Sequence, residues 1–251
     1  MALGVFAGMV AVAFHRTIFT ISDAFKHYNV PYWISPAIAG LGVGLVALVL
    51  PQVMGSGDEV INMALTYKLV VGLLFILIIA KLLVSALCVA AGFPGGIIAP
   101  TLFIGAMLGG FSGFLGHSMF PEISATGGAY ALVGMGAMLS GMTYSPISAI
   151  LIIFELTGTY EIILPVMTSV VIGTIVARIF SKDSIYTIRL KRKGIDPSQL
   201  AERDVMKTVT VAQVMTRDFP SVPPSMAIPS LFRQMRSEDR RVGNECKSKQ
   251  C

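Results

Sequence analysis

Long apolar runs, interrupted again and again by glycine and proline, dominate this chain. They occupy residues 2–21, 33–54, 69–92, 97–120, 129–156 and 161–180, with a shorter and more polar stretch at 58–67. Several approach the roughly 20 apolar residues a helix needs to cross the hydrocarbon of a bilayer. Composition agrees: 54% of the 251 residues are hydrophobic and 13% are charged, about half the charged share of a soluble domain. The reading is an all-α membrane protein, and the broken runs predict tilted and re-entrant helices beside spanning ones.

The interruptions carry physical meaning. In hydrocarbon every backbone N–H and C=O needs a partner, so a broken helix persists only where protein or a water-filled cavity supports it. Such breaks mark ion sites in transporters, because the exposed helix N-termini carry partial positive charge. Two breaks stand out, at residues 92–100 and 140–146. Glycines also set packing. Gly105, Gly109 and Gly113 recur every four residues, and Gly40 and Gly44 repeat that spacing. Small residues so spaced let helices approach closely.

Charge is segregated. Residues 1–177 hold four basic and six acidic side chains, a net of −2, whereas 178–251 carry +7. Arg178, Lys182, Arg189, Lys191, Arg192 and Lys193 follow the last apolar run directly, which places that end in the cytoplasm by the positive-inside rule. No aromatic interleaving accompanies the run, so nucleic acid is not an expected partner; the lipid bilayer is. The N-terminus lacks the basic region of a signal peptide. Cys88, in an apolar run, reads as packing, and Cys246 and Cys251 lie in a polar tail. No metal-ligand spacing is present.

The most informative stretch is Gly95-Gly96-Ile97-Ile98-Ala99-Pro100-Thr101-Leu102. A glycine pair precedes an apolar helix, whose first N–H groups have no intrahelical acceptor. An anion is stabilised there by those donors and by the helix dipole. The side chains are apolar, so no fixed cation traps the ion, which suits a permeant species that must bind and also leave.

Gly96-Ile97-Ile98-Ala99-Pro100 resembles the G-x-F-x-P chloride-binding motif of the CLC family of chloride channels and chloride/proton exchangers, with Ile98 where phenylalanine is usual. Backbone amides hold the ion in that motif, so the substitution leaves the donors intact. Ser145-Pro146-Ile147-Ser148 through Glu155-Leu156-Thr157-Gly158 is similar to a second family segment, followed by Tyr160 and Ile163-Leu164-Pro165. Ser184-Ile185-Tyr186 resembles the family's tyrosine at the start of the last intramembrane helix. The resemblance spans roughly residues 1–200 in the family's order. It implies an inverted-repeat membrane fold of which this is the second repeat, and chloride passage that is passive, as in a voltage-gated channel, or proton-coupled, as in an antiporter. Ile97 and Ile98 would donate N–H groups, Gly96 and Pro100 would shape the loop, Ala99 would belong to the same chloride-binding stretch, and Tyr186 would donate its hydroxyl. A homodimer, multi-pass placement in a bacterial inner membrane, and no enzymatic activity are implied likewise. The family's gating glutamate and its serine loop belong to the first repeat and have no counterpart here. Glu155 matches a helix-end position and is expected to bond local backbone.

The layout expected is a membrane domain over 1–193, a linker over 194–208, a partial CBS domain over 209–235 and a non-native tail over 236–251. Thr210-Val211-Ala212-Gln213-Val214-Met215-Thr216-Arg217 resembles the opening of a CBS domain, an α/β fold. CBS pairs often bind adenine nucleotides, but this segment is too short for a pair, so no cofactor is expected beyond chloride as a bound ion. The tail from Arg236 resembles translated adapter sequence, with the natural frame ending near Met235. Two other readings exist. One is an inactive fragment. The other is a rhomboid-like intramembrane protease, since Gly110-Phe111-Ser112-Gly113 matches a G-x-S-G nucleophile motif near His117. A base five residues along one helix is poorly placed, and Ser112 lies in the glycine stripe, so packing is the expected role. His15 and His27 read as interfacial, and Tyr28, Tyr32 and Trp33 as an aromatic belt.

Overall fold

The computed structural model describes residues 1–31, 33–66, 69–93, 95–119, 127–158, 160–192, 194 and 229. The chain separates into two compact units, Met1–Pro197 and Ser198–Cys251. Within the second, only Pro229 is described, so the CBS-like segment at 209–235 and the tail at 236–251 lie outside the described residues, as does the 194–208 linker except for Gly194.

Among the described residues the first unit is helical, with no strand. Its α-helices run in order α1 Ala2–His27, α2 Ser35–Val49, α3 Asp58–Leu65, α4 Val71–Ala90, α5 Ile98–Met119, α6 Gly127–Thr143, α7 Pro146–Thr157, α8 Ile163–Phe180 and α9 Ile185–Arg192. Helices α1, α4 and α5, together with the stretch Tyr160–Arg192, are long and apolar enough to cross a membrane. Helix α2 has 15 residues and α7 has 12. At 1.5 Å per residue these rise about 22 and 18 Å, short of the roughly 30 Å hydrocarbon core. The mixture of spanning and short helices is the pattern expected from the interrupted runs.

Local chemistry explains the boundaries. Pro146 opens α7 at its first turn, where the missing N–H costs nothing, and Gly158 closes it in the left-handed conformation at φ 60°. Gly57, at φ 83°, turns the chain into α3, whose first turn carries Asp58 and Glu59 against the positive helix end. The first apolar run continues as helix six residues past Ile21, to His27. His15 therefore sits inside α1 rather than at an interface. It is 2% exposed, between the rings of Phe19 and Tyr144. His27, Tyr28 and Trp33 are exposed, as an interfacial role requires; Tyr32 lies outside the described residues.

Helices α5 and α6 form the centre. Phe103, Ile104, Met107, Met138 and Met142 are fully buried there. The glycine stripe makes the pairing possible: a Cβ on Gly105 would stand 2.6 Å from Gly134 O and 2.7 Å from Met135 Cα. Gly109 and Gly113 press on Tyr130 of α6 in the same way. A second seam joins α1 to α8, where a Cβ on Gly4 or Gly8 would stand 2.7 Å from a carbonyl, Ser169 O or Gly173 O respectively. The Gly40–Gly44 pair does not behave so: open space surrounds both on α2. Gly42 faces Leu87 of α4 instead, and the 40/44 side of α2 is turned outward with Leu41, Leu45 and Leu48.

Polar ties complete the bundle. Ser140 of α6 and Thr174 of α8 share a buried hydroxyl pair. Lys81 of α4 is 3% exposed, donates to Val53 O and Gly55 O at 2.8 Å each, and lies 4.7 Å over the Phe103 ring. A buried cation is tolerated only when its donors are satisfied, and these two carbonyls, in the turn between α2 and α3, do that.

Candidate functional site

Helix α5 starts at Ile98, with Ile97 between it and the glycine pair. Its first backbone hydrogen bond runs from Thr101 N–H to Ile97 O at 3.1 Å. Thr101 Oγ1 donates to the same carbonyl at 2.7 Å. Pro100 has no N–H. The amides of Ile97, Ile98 and Ala99 have no acceptor among the described residues. Gly95, Gly96, Ile98 and Ala99 are exposed, whereas Ile97 is buried and anchors the turn in the core. A Cβ on Gly95 or Gly96 would meet nothing within 4 Å, so the space beside the glycine pair is open.

No ionisable side chain lies within Gly95–Pro100 itself. The sequence holds no lysine or arginine between Lys81 and Arg178. Lys81 is committed to the Val53 and Gly55 carbonyls, on the side of α5 marked by Phe103. What the turn offers an anion is a set of N–H donors and the positive end of a 22-residue helix.

Tyr186 is the second residue of α9 and is 46% exposed. It lines a cavity of about 620 Å³ together with Ile18, Phe19 and Lys26 of α1, Gly92 and Phe93 of the turn after α4, and Arg189 and Arg192 of its own helix. The structure thus brings Tyr186 to the Gly92–Phe93 turn that leads into the amide loop. Gly96, Ile97, Ile98, Ala99 and Pro100 are not in the wall of this cavity.

The second break is built differently. Tyr144, at φ 60°, sends its hydroxyl to Ser181 O at 2.6 Å and Ala177 O at 3.2 Å, at the end of α8. Arg178 covers its ring and reaches Tyr144 O at 3.5 Å. Here the break's own Tyr144 and Arg178 of α8 tie the chain to the end of α8, beside a cavity of about 490 Å³ also lined by Thr143, Lys182, Ser184 and Thr187.

Glu155 departs from expectation. It is exposed near the C-terminus of α7 and makes no side-chain hydrogen bond among the described residues. The nearest unsatisfied backbone groups there are carbonyls, which cannot donate to a carboxylate. Ser112 donates to Gly109 O of its own helix at 2.9 Å, and His117 is exposed one turn and more beyond. The two do not form a nucleophile–base pair, which removes the geometric basis of the protease reading. Among the described residues no group of histidine, cysteine and carboxylate side chains could hold a metal. Sequence reasoning missed the partners of Lys81 and of Tyr144. The signals were present as a lone cation inside an apolar run and a tyrosine before Ser-Pro.

The family described as voltage gated chloride channel matches residues 1–178. The H(+)/Cl(-) exchange transporter ClcA of Citrobacter koseri is 32% identical over 197 residues, 76% of this chain and 41% of the relative. ClcA of Yersinia pestis is 30% identical over 217 residues, 85% of this chain and 44% of the relative. A slow cyanobacterial Cl−/H+ antiporter superposes with a TM-score of 0.70 at 26% identity, over 81% of this chain and 47% of that one. A eukaryotic CLC transporter gives 0.63 at 29% identity, over 74% and 33%. The chain spans about two-fifths of the length of the curated relatives it matches.

Proposed function

Because the chain belongs to the voltage gated chloride channel family, we propose that it supplies one side of a chloride pathway across a membrane, with the amides of Ile97, Ile98 and Ala99 as donors to the ion. The observation that carries this is the start of α5, where the amides of Ile97, Ile98 and Ala99 have no acceptor among the described residues and the glycine pair before them is surrounded by open space. Tyr186 contributes its hydroxyl from the neighbouring cavity, as the family resemblance implies. Lipid surrounds the apolar exterior, the basic segment after α8 lies on the cytoplasmic side of a bacterial inner membrane, and a second copy completes a homodimer. Proton coupling is the mode named for ClcA and for the cyanobacterial neighbour, and it is the mode assigned here to the whole protein. Enzymatic activity has no part in this reading.

The test uses protein expressed from the complete gene and reconstituted in liposomes, with chloride and proton fluxes recorded together. Ile98→Pro deletes one donor at a position where proline is compatible with a helix start. Ile98→Phe keeps the donor. The expected result is chloride flux in the parent, near-parental flux for Ile98→Phe, and a clear rise in half-saturating chloride for Ile98→Pro. Equal behaviour of the two variants removes the amide at residue 98 from the site. Chloride flux without proton flux assigns a channel in place of an exchanger.

A further inference from the structure

Helix α9 carries Tyr186 but has only eight residues, and an isolated helix of that length is not stable in water. Its start is fixed: Ile185 is fully buried, and Ser184 Oγ accepts from Thr187 N–H at 3.3 Å. Its far end is held from the opposite end of the sequence. Arg192 donates to both carboxylate oxygens of Asp23, at 2.6 and 3.0 Å. The same guanidinium lies 4.4 Å over the ring of Phe19, one turn earlier on α1. Lys191 pairs with Asp183 at 2.8 Å, but Asp183 belongs to the segment entering α9, so that pair stays local.

We propose that Asp23, Arg192 and Phe19 form a clamp that sets the orientation of α9, and so act as positioning residues for Tyr186. An exposed ion pair is ordinarily worth little. This one combines a bidentate fork with a stacked ring, which restricts the guanidinium in both direction and plane. It also acts at the end of a lever. Tyr186 and Arg192 are six residues apart, about 9 Å along the axis, with the buried Ile185 as the pivot. Releasing Arg192 lets the helix swing about Ile185 and blurs the direction of the tyrosine hydroxyl. The pair has an electrostatic consequence too. Arg192 lines the cavity beside Lys26 and Arg189, and Asp23 neutralises it there.

Position and charge give opposite signatures at Asp23, so they separate. This inference rests on chloride transport by the whole protein, and half-saturating chloride is the quantity to measure in liposomes holding protein from the complete gene. If the clamp positions Tyr186, Asp23→Asn and Arg192→Gln each raise it about two- to fivefold, the scale of an ion pair with a stacked cation. The exchange Asp23→Arg with Arg192→Asp keeps both charges, keeps an arginine within reach of Phe19, and restores the parental value. In a Tyr186→Phe background the single variants add nothing further, the non-additivity expected of residues acting through one group. If instead Asp23→Asn lowers half-saturating chloride while Arg192→Gln raises it, the pair acts through cavity charge and the clamp is overturned. Full additivity with Tyr186→Phe overturns it as well. A parent protein without chloride flux overturns the transport reading itself, a distinct result.

Discussion

Lys81 shows how much a single residue can organise. Its ammonium group satisfies two carbonyls in the turn between α2 and α3, and it lies over the ring of Phe103 of α5. Lys81→Met keeps the volume of the stem and removes the donors. The expected loss is about 1–3 kcal/mol, the penalty for buried acceptors left unpaired, read as a lower unfolding temperature in detergent. A cation inside the 69–92 run was visible in the sequence as an anomaly. Its partners were not, because Val53 and Gly55 lie 28 and 26 residues earlier in a turn that no periodicity marks. Glu155 is the converse. Its place at a helix end was readable, but which backbone groups remain free there depends on helix direction, and at a C-terminus they are acceptors.

At the scale of elements, glycine spacing alone did not decide which helices meet. The 105/109/113 stripe and the 40/44 pair have the same period, yet only the first faces a neighbouring helix in this chain. Gly109→Val would push side-chain carbons into Tyr130 and Ala131, and the expected outcome is loss of the folded bundle, seen as aggregation on size-exclusion chromatography. Gly44→Ala adds a methyl group to open space and improves helix propensity by up to about 1 kcal/mol. It should leave the unfolding temperature unchanged or raise it. The α1–α8 seam at Gly4 and Gly8 had the same four-residue signature and was not singled out, because nothing in the spacing distinguishes a buried glycine from an exposed one. Helix order and the interruptions themselves were legible, since proline, glycine and apolar length act locally.

For the whole molecule, the sequence supplied the architecture through three ordered motifs on matching apolar segments, and the family match over residues 1–178 agrees. It did not supply the relation between Tyr186 and the amide loop, which depends on how α9 returns to α1 and to the Gly92–Phe93 turn. The return also gathers charge. Lys26 and Arg189 line the cavity and make no ion pair among the described residues. Lys26→Gln and Arg189→Gln are expected to slow chloride entry at low ionic strength and to converge with the parent at high salt, as electrostatic steering does. Uptake rates across a series of ionic strengths check this. A salt-independent difference would point to packing instead.

The start of α5 has a consequence for acidity. Peptide amides neither take up nor release a proton over the range in which carboxylates and histidines titrate, and no ionisable side chain lies among Gly95–Pro100. An ion held by these amides is therefore held equally well in acid and in base. On the proposed reading, any acid sensitivity of transport enters through groups outside Gly95–Pro100, so that anion binding and proton sensing fall to different parts of the protein.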